Sequence, residues 1–310
     1  MRYFQVNVRR QPTEHGYMPT MQLYLLDKVK KRRPLVLIAP GGGYTALCTD
    51  TDGDRIAMQY NAAGFHAAVL YYSVKPHYFP EPQKDLLLAI RLLRENAEEW
   101  GILEDGIAIC GFSAGGHLCA SVSTLWQYAG EDGELDTKRG AVIQECTMDI
   151  SVSNHAANSV CMIEEQPVDA GSTKRNDSCP SLLYHPNAAI LCYAILTTRL
   201  GHCRDFLRSH VNDDAKKLYM ASCDAQVSEY TPPTFLYGTF EDRLANVENI
   251  LYYSEQLVKY GVPFESHIFP KGNHGASWCD DTIWAKQAWD RDYNYIRLSV
   301  EWLADLFGLL

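Results

Sequence analysis

No apolar run in this sequence is long enough to span a bilayer, and the amino terminus, Met1-Arg2-Tyr3-Phe4-Gln5-Val6, has no long apolar stretch behind its charge. Neither a membrane span nor a secretory leader is expected, so the chain reads as a soluble cytoplasmic protein. Basic residues are outnumbered, with 28 Lys and Arg against 38 Asp and Glu and a net charge of −10. That balance argues against nucleic acid or an anionic membrane as the main partner and favours a neutral or polar small molecule. There is no H-E-x-x-H, and His155, Cys161, Cys179 and His185 lack a usual zinc spacing, so no metal is expected. No G-K-[ST] follows the glycine triplet Gly41 to Gly43, which weakens a phosphate-cradle reading, and no cofactor is expected. The ten cysteines are scattered from Cys48 to Cys279 without a disulfide framework. Several, such as Cys110, Cys119 and Cys192, lie in apolar runs, where reduced buried thiols are expected.

What is present is ample apolar material: 46% of 310 residues are hydrophobic, enough to bury a substantial core in one large α/β domain or two smaller ones. Phe4, Val6 and Val8 alternate, the pattern breaks at Gln11-Pro12-Thr13, and alternation resumes at Met21, Leu23 and Leu25, as in an antiparallel edge hairpin. Pro34-Leu35-Val36-Leu37-Ile38-Ala39 is a near-continuous apolar run, as expected of a strand covered on both faces. A helix is expected around Arg55 to Ala63, then a strand over His66 to Tyr72. From Asp85 to Trp100, Leu86, Ile90, Leu93 and Ala97 recur at helical steps and Gly101 ends the pattern. A short strand at 107–110 and a helix from Ala114 to about Trp126 follow.

The pattern loosens from Gln127 to about Asn187, which is too long for a simple connection and reads as an insertion, a candidate lid. Beyond it come a strand at 188–194, a helical excursion over 205–222, a strand at 234–237, a helix at 246–260, a strand at 264–269 and a final helix over 285–307. Strands alternating with helices imply a mostly parallel, doubly wound sheet in a single domain, 1–310.

The chemistry gathers at Gly111-Phe112-Ser113-Ala114-Gly115-Gly116-His117, a G-x-S-x-G between the apolar run Ile107 to Cys110 and a helical segment. A strand, a sharp turn and a helix would lift the Ser113 hydroxyl clear of the sheet, with glycines where strand and helix pinch together. A serine hydroxyl needs a base to take its proton and a third group to hold that base in one tautomer. His274, in Lys271-Gly272-Asn273-His274-Gly275 after the last strand, is the expected base. The acid should follow the preceding strand, where Glu241 and Asp242 stand side by side, and Asp242 is favoured. Gly42, Gly43 and Ala114 are the candidate oxyanion-hole donors, the first two because side-chain-free backbone can approach a substrate closely. Tyr44 after the glycine loop and Trp278 after His274 are candidate walls of the acyl pocket.

Taken in order, Pro40-Gly41-Gly42-Gly43-Tyr44, Cys110 to His117, Pro232-Pro233-Thr234-Phe235-Leu236 and Gly261-Val262-Pro263-Phe264-Glu265 through His274-Gly275 resemble the acetyl-xylan-esterase-like branch of the α/β-hydrolases. The resemblance covers most of 20–275 outside the insertion. It implies an α/β-hydrolase fold and a serine carboxylesterase acting on short acyl esters, often acetyl esters of sugars. Ser113, Asp242 and His274 would occupy the triad positions. Two departures stand out: Pro40 replaces the histidine of many related lipases and esterases, although this branch commonly has proline, and 127–187 is longer than expected. Two other readings stay open on residues alone. One is a serine peptidase of the prolyl-oligopeptidase type, which shares fold and serine turn but needs room for a propeller domain. The other is a catalytically silent binding protein, whose mark would be a missing triad member.

Overall fold

A computed structural model describes residues 1–27, 29–130, 132–136, 180–275, 277 and 295–309. Among the described residues eight strands form one sheet: β1 (Arg2–Asn7), β2 (Thr20–Leu25), β3 (Arg33–Ala39), β4 (His66–Tyr71), β5 (Ile102–Phe112), β6 (Ala188–Cys192), β7 (Thr234–Thr239) and β8 (Phe264–Phe269). Their order is β1-β2-β4-β3-β5-β6-β7-β8. The first hairpin pairs antiparallel and β2 joins β4 antiparallel, whereas β4 through β8 run parallel. Parallel neighbours need crossovers, and helices supply them. Helices α1 (Thr49–Asp52) and α2 (Asp54–Ala62) link β3 to β4, while α3 (Glu81–Glu95) and α4 (Ala97–Trp100) link β4 to β5. Helix α5 (Ala114–Leu125) leaves β5, α6 (Gly201–His210) and α7 (Ala215–Ala221) lie between β6 and β7, and α8 (Glu248–Lys259) links β7 to β8. Helix α9 (Tyr295–Leu306) comes last.

The continuous apolar runs follow from burial on both faces of this sheet. Leu35, Leu37 and Ala39 of β3 point into one core with Ile107 and Ile109 of β5 and the apolar sides of α3, α5 and α8. Val36 and Ile38 point the other way, into a second core with Ile56, Ala57 and Tyr60 of α2 and Leu303 of α9. Alternate residues on a strand face opposite sides, so both periods must be apolar when both sides are covered. Ile38 sits in register with Val69 of β4 and Cys110 of β5, deep in the middle of the sheet. Truncating such a side chain to Ala would cost about 2–5 kcal/mol.

Several boundaries differ from the sequence reading. Helix α3 starts at Glu81, four residues earlier than expected, with Pro82 in its first turn. Proline is tolerated there because the first N–H groups of a helix have no intrahelical acceptor. The expected helix at 85–100 is also two helices, parted at Asn96, and Gly101 closes the second in the left-handed region at φ 74°. Strand β5 runs over Ile102–Phe112 rather than 107–110, because its charged early residues Glu104 and Asp105 are exposed and carry no apolar signal. Of the expected insertion, 127–187, the stretch 137–179 lies outside the described residues. So does 285–294 of the final helix.

Candidate active site

The segments that carry the expected chemistry leave the carboxyl ends of the parallel strands, where ligands bind in open α/β sheets. Ser113 stands between β5 and α5 with φ 54° and ψ −115°, a conformation that L-residues avoid. Its backbone is over-determined: Ser113 N–H donates to Cys192 O of β6 at 3.0 Å, and its carbonyl accepts the His117 N–H at 3.0 Å. The flanking glycines are demanded by contact. A Cβ on Gly111 would stand 2.1 Å from the Gly115 carbonyl oxygen, and one on Gly115 would stand 2.1 Å from Ala39 O. Only bare backbone lets α5 sit this close to β3 and β5.

From this elbow a line of hydrogen bonds runs across three loops. Ser113 Oγ is 2.7 Å from His274 Nε2, and His274 Nδ1 is 2.8 Å from Asp242 Oδ2. Asp242 is buried, and its other oxygen accepts the N–H groups of Leu244 at 2.8 Å and Ala245 at 2.9 Å. A carboxylate accepts only, so His274 carries its proton on Nδ1 and presents the Nε2 lone pair to the serine. The two adjacent acids therefore divide their work. Glu241 Oε2 accepts the Gly272 N–H at 3.2 Å, and Thr239 Oγ donates to Gly272 O at 2.6 Å, bracing the loop that bears the histidine.

The glycine loop lies alongside. A Cβ on Gly41 would stand 3.4 Å from the Ser113 Cβ. The Gly42 carbonyl turns inward to accept the N–H groups of Thr45 and Ala46, each at 3.1 Å. Among the described residues none accepts a hydrogen bond from the N–H of Gly42 or Gly43. The Ala114 N–H opens α5, where the first four N–H groups have no intrahelical partner.

Tyr44 sits elsewhere than an open pocket wall would. Its ring is buried in the core behind the loop, at 1% exposure, stacked on His210 with centroids 3.6 Å apart. Its hydroxyl meets His117 Nδ1 at 2.7 Å, and His117 Nε2 lies 2.8 Å from Ala221 O. The carbonyl accepts only, so His117 is protonated on Nε2 and accepts from the tyrosine on Nδ1. Burial lowers the His117 pKa to about 4 and pushes His210 well below its ordinary value as well. Trp278 lies outside the described residues.

Three residues beside the elbow were given no role by the sequence. Asp52 Oδ2 accepts the Gly41 N–H at 3.0 Å from a buried position. Tyr193 packs its ring steeply against that of His274, with centroids 5.2 Å apart, and its hydroxyl accepts the Ser277 N–H at 3.0 Å. His117 stood in the serine-turn segment itself, one helical turn beyond Ser113, where its side chain meets Tyr44, His210 and Ala221. Asp52 could not be found from sequence, because it stands among Asp50 and Asp54 with nothing to single it out.

A parallel sheet of this order, with a strained serine turn in its middle and an acid and a histidine on later loops, defines an α/β-hydrolase. The chain belongs to the BD-FAE family, whose model matches residues 21–183, more than half of its length. It is 28% identical over 291 residues to a protein of Butyrivibrio fibrisolvens named endo-1,4-beta-xylanase B, covering 91% of this chain and 38% of that protein. To the acetylxylan esterase of Xylanibacter ruminicola it is 25% identical over 244 residues, covering 76% of this chain and 39% of the relative. The chain thus spans about two fifths of the length of these relatives. Among solved structures, the acetyl ester-xyloside bifunctional hydrolase of Caldicellulosiruptor lactoaceticus superposes with a TM-score of 0.73 at 26% identity, covering 100% of this chain and 98% of that one.

Proposed function

We propose that the chain is a serine carboxylesterase for short-chain acyl esters, with acetyl esters of sugars or oligosaccharides as its substrate class. The observation that carries this reading is the unbroken line Ser113 Oγ, His274, Asp242, with the serine hydroxyl 2.7 Å from an imidazole nitrogen whose tautomer Asp242 sets. In the reaction His274 Nε2 takes the hydroxyl proton as Ser113 Oγ attacks the ester carbonyl. Negative charge then grows on the carbonyl oxygen, beside the N–H groups of Gly42, Gly43 and Ala114, which act as the oxyanion hole. The imidazolium gives its proton to the departing alcohol, leaving an acyl group on Ser113. Water, deprotonated in turn by His274, releases the carboxylic acid and restores the serine.

The acetyl preference is supported by likeness to the acetylxylan esterase, at 25% identity, and to the acetyl ester-xyloside hydrolase, at 26%. The test is kcat/KM over p-nitrophenyl esters of two to ten carbons, together with acetate release from acetylated xylo-oligosaccharides. Wild type should favour acetyl and propionyl, and Ser113→Ala should be inert to ester and to a fluorophosphonate probe. Turnover by Ser113→Ala equal to wild type would end the serine mechanism, and an optimum at eight carbons or more would end the short-acyl reading.

A further inference from the structure

We propose that Asp52 is a positioning residue of the reaction: its buried carboxyl holds the Gly41 N–H and so sets where Gly42 and Gly43 present theirs. The inference rests on the serine-esterase reading above.

Asp52 ends the four-residue helix α1, and its side chain turns inward to 5% exposure. Burying a carboxyl is unfavourable unless its oxygens are matched by donors. Here the match is Gly41, whose N–H reaches Asp52 Oδ2 at 3.0 Å. Burial raises the Asp52 pKa, opposed by the Gly41 N–H, the Ser277 and Thr51 hydroxyls and the nearby His274. The surrounding backbone closes a ring around this contact. Gly41 O accepts the Cys48 N–H at 3.0 Å, and Cys48 O accepts the Asp52 N–H at 2.9 Å. Both polar groups of Gly41 are therefore bound to α1 or to the residue that leads into it. Gly53 supports the turn, since a Cβ there would meet Thr49 O at 2.4 Å.

The same short helix reaches the histidine side of the site. Ser277 Oγ donates to Thr51 O at 2.7 Å, and the Ser277 N–H goes to the Tyr193 hydroxyl, whose ring backs His274. Helix α1 thus joins the glycine loop to the histidine loop. Gly41 also runs against the elbow itself: its Cβ, if present, would lie 3.1 Å from Phe112 O and 2.9 Å from Asp52 Oδ2. Loss of the Asp52 acceptor would leave the Gly41 N–H unpaired inside the protein. The loop would then rotate to find another partner, moving the donors of Gly42 and Gly43 away from the carbonyl oxygen. A displacement near 1 Å at a reacting centre lowers rate by about a hundredfold.

The experiment compares Asp52→Ala, Asp52→Leu and Asp52→Asn with wild type on p-nitrophenyl acetate, each checked by thermal melting. Asp52→Leu keeps the branching of the side chain and removes the acceptor, and it stands in if Asp52→Ala does not fold. The acceptor-free variants should lose about thirty- to a hundredfold in kcat with KM nearly unchanged. Asp52→Asn, whose carboxamide oxygen can accept from Gly41, should remain within about fivefold of wild type. A folded acceptor-free variant with wild-type kcat overturns the proposal, as does Asp52→Asn falling as far as Asp52→Leu. Wild type and Ser113→Ala are run alongside. Equal ester turnover in those two is a failure of the esterase reading, whereas wild-type activity with an indifferent position 52 is a failure of this one.

Discussion

Replacing Asp242 by Asn probes the candidate triad with almost no change of shape. Asp242 Oδ1 is held by two backbone N–H groups, those of Leu244 at 2.8 Å and Ala245 at 2.9 Å. In the variant the carboxamide oxygen must stay on those donors, because an NH₂ group there would face two N–H groups. The NH₂ then points at His274 Nδ1, which at 2.8 Å can only accept from it. The neutral imidazole is forced to carry its proton on Nε2, facing Ser113 Oγ at 2.7 Å. A base with its proton already in place cannot take the serine's. The same tautomer inversion in serine proteases lowers kcat by about 10⁴, or about 5 kcal/mol at 1.36 kcal/mol per decade. KM should hardly move, since Asp242 is 2% exposed and buried behind the histidine. The assay is steady-state kcat and KM on p-nitrophenyl acetate, with the rate of fluorophosphonate labelling as a second readout. Glu241→Gln is the control: its carboxamide oxygen can still accept the Gly272 N–H, so kcat should stay within about threefold. A fall of less than about a hundredfold in Asp242→Asn, or a larger one in Glu241→Gln, would refute the assignment of the acid.

Two further outcomes follow from the backbone and the buried histidines. Ser113→Gly should abolish turnover yet raise Tm by about 2 °C, because the φ of 54° stores about 1–3 kcal/mol of strain that glycine releases, less about 0.5–1 kcal/mol of added chain entropy; a lower Tm would show the elbow to be unstrained. His117 is fully buried with its pKa lowered from 6.5 to about 4, so the unfolded chain binds a proton that the native one refuses in that window. Its stabilising contribution is complete above pH 6.5 and is lost as pH falls towards 4, to the extent of about 3 kcal/mol, with His210 acting in the same direction. Urea unfolding of wild type and His117→Gln at stepped pH checks this. Between pH 6.5 and 4 the variant should lose about 3 kcal/mol less stability than wild type, the His210 share remaining, and parallel profiles would contradict it.

Patterns read from the chain determined the parts of this protein that depend on order along it. Strand β3 begins one residue early and ends where expected, because a strand covered on both faces must be apolar along its length, whereas the edge strand β8 is nowhere fully buried and keeps its expected bounds because Pro263 and Pro270 flank it. The chain order of the candidate triad, Ser113, an acid and His274, could also be proposed from sequence, since the glycines around the serine and the loops after the last strands carry local composition signals. Tertiary structure decided what depends on direction. Glu241 and Asp242 are adjacent carboxylates with the same propensity, and only the turn after β7 aims one at His274 and the other at Gly272. Tyr44 follows the glycine loop in sequence, but its positive φ of 58° turns the ring into the core against His210 and His117 rather than into an open pocket. Asp52 is eleven residues from its partner Gly41, and its inward turn arises from packing between α1, the elbow and the histidine loop. Local pattern records which residues must be apolar or small, whereas the partner of a buried polar group is set by a geometry to which distant segments contribute.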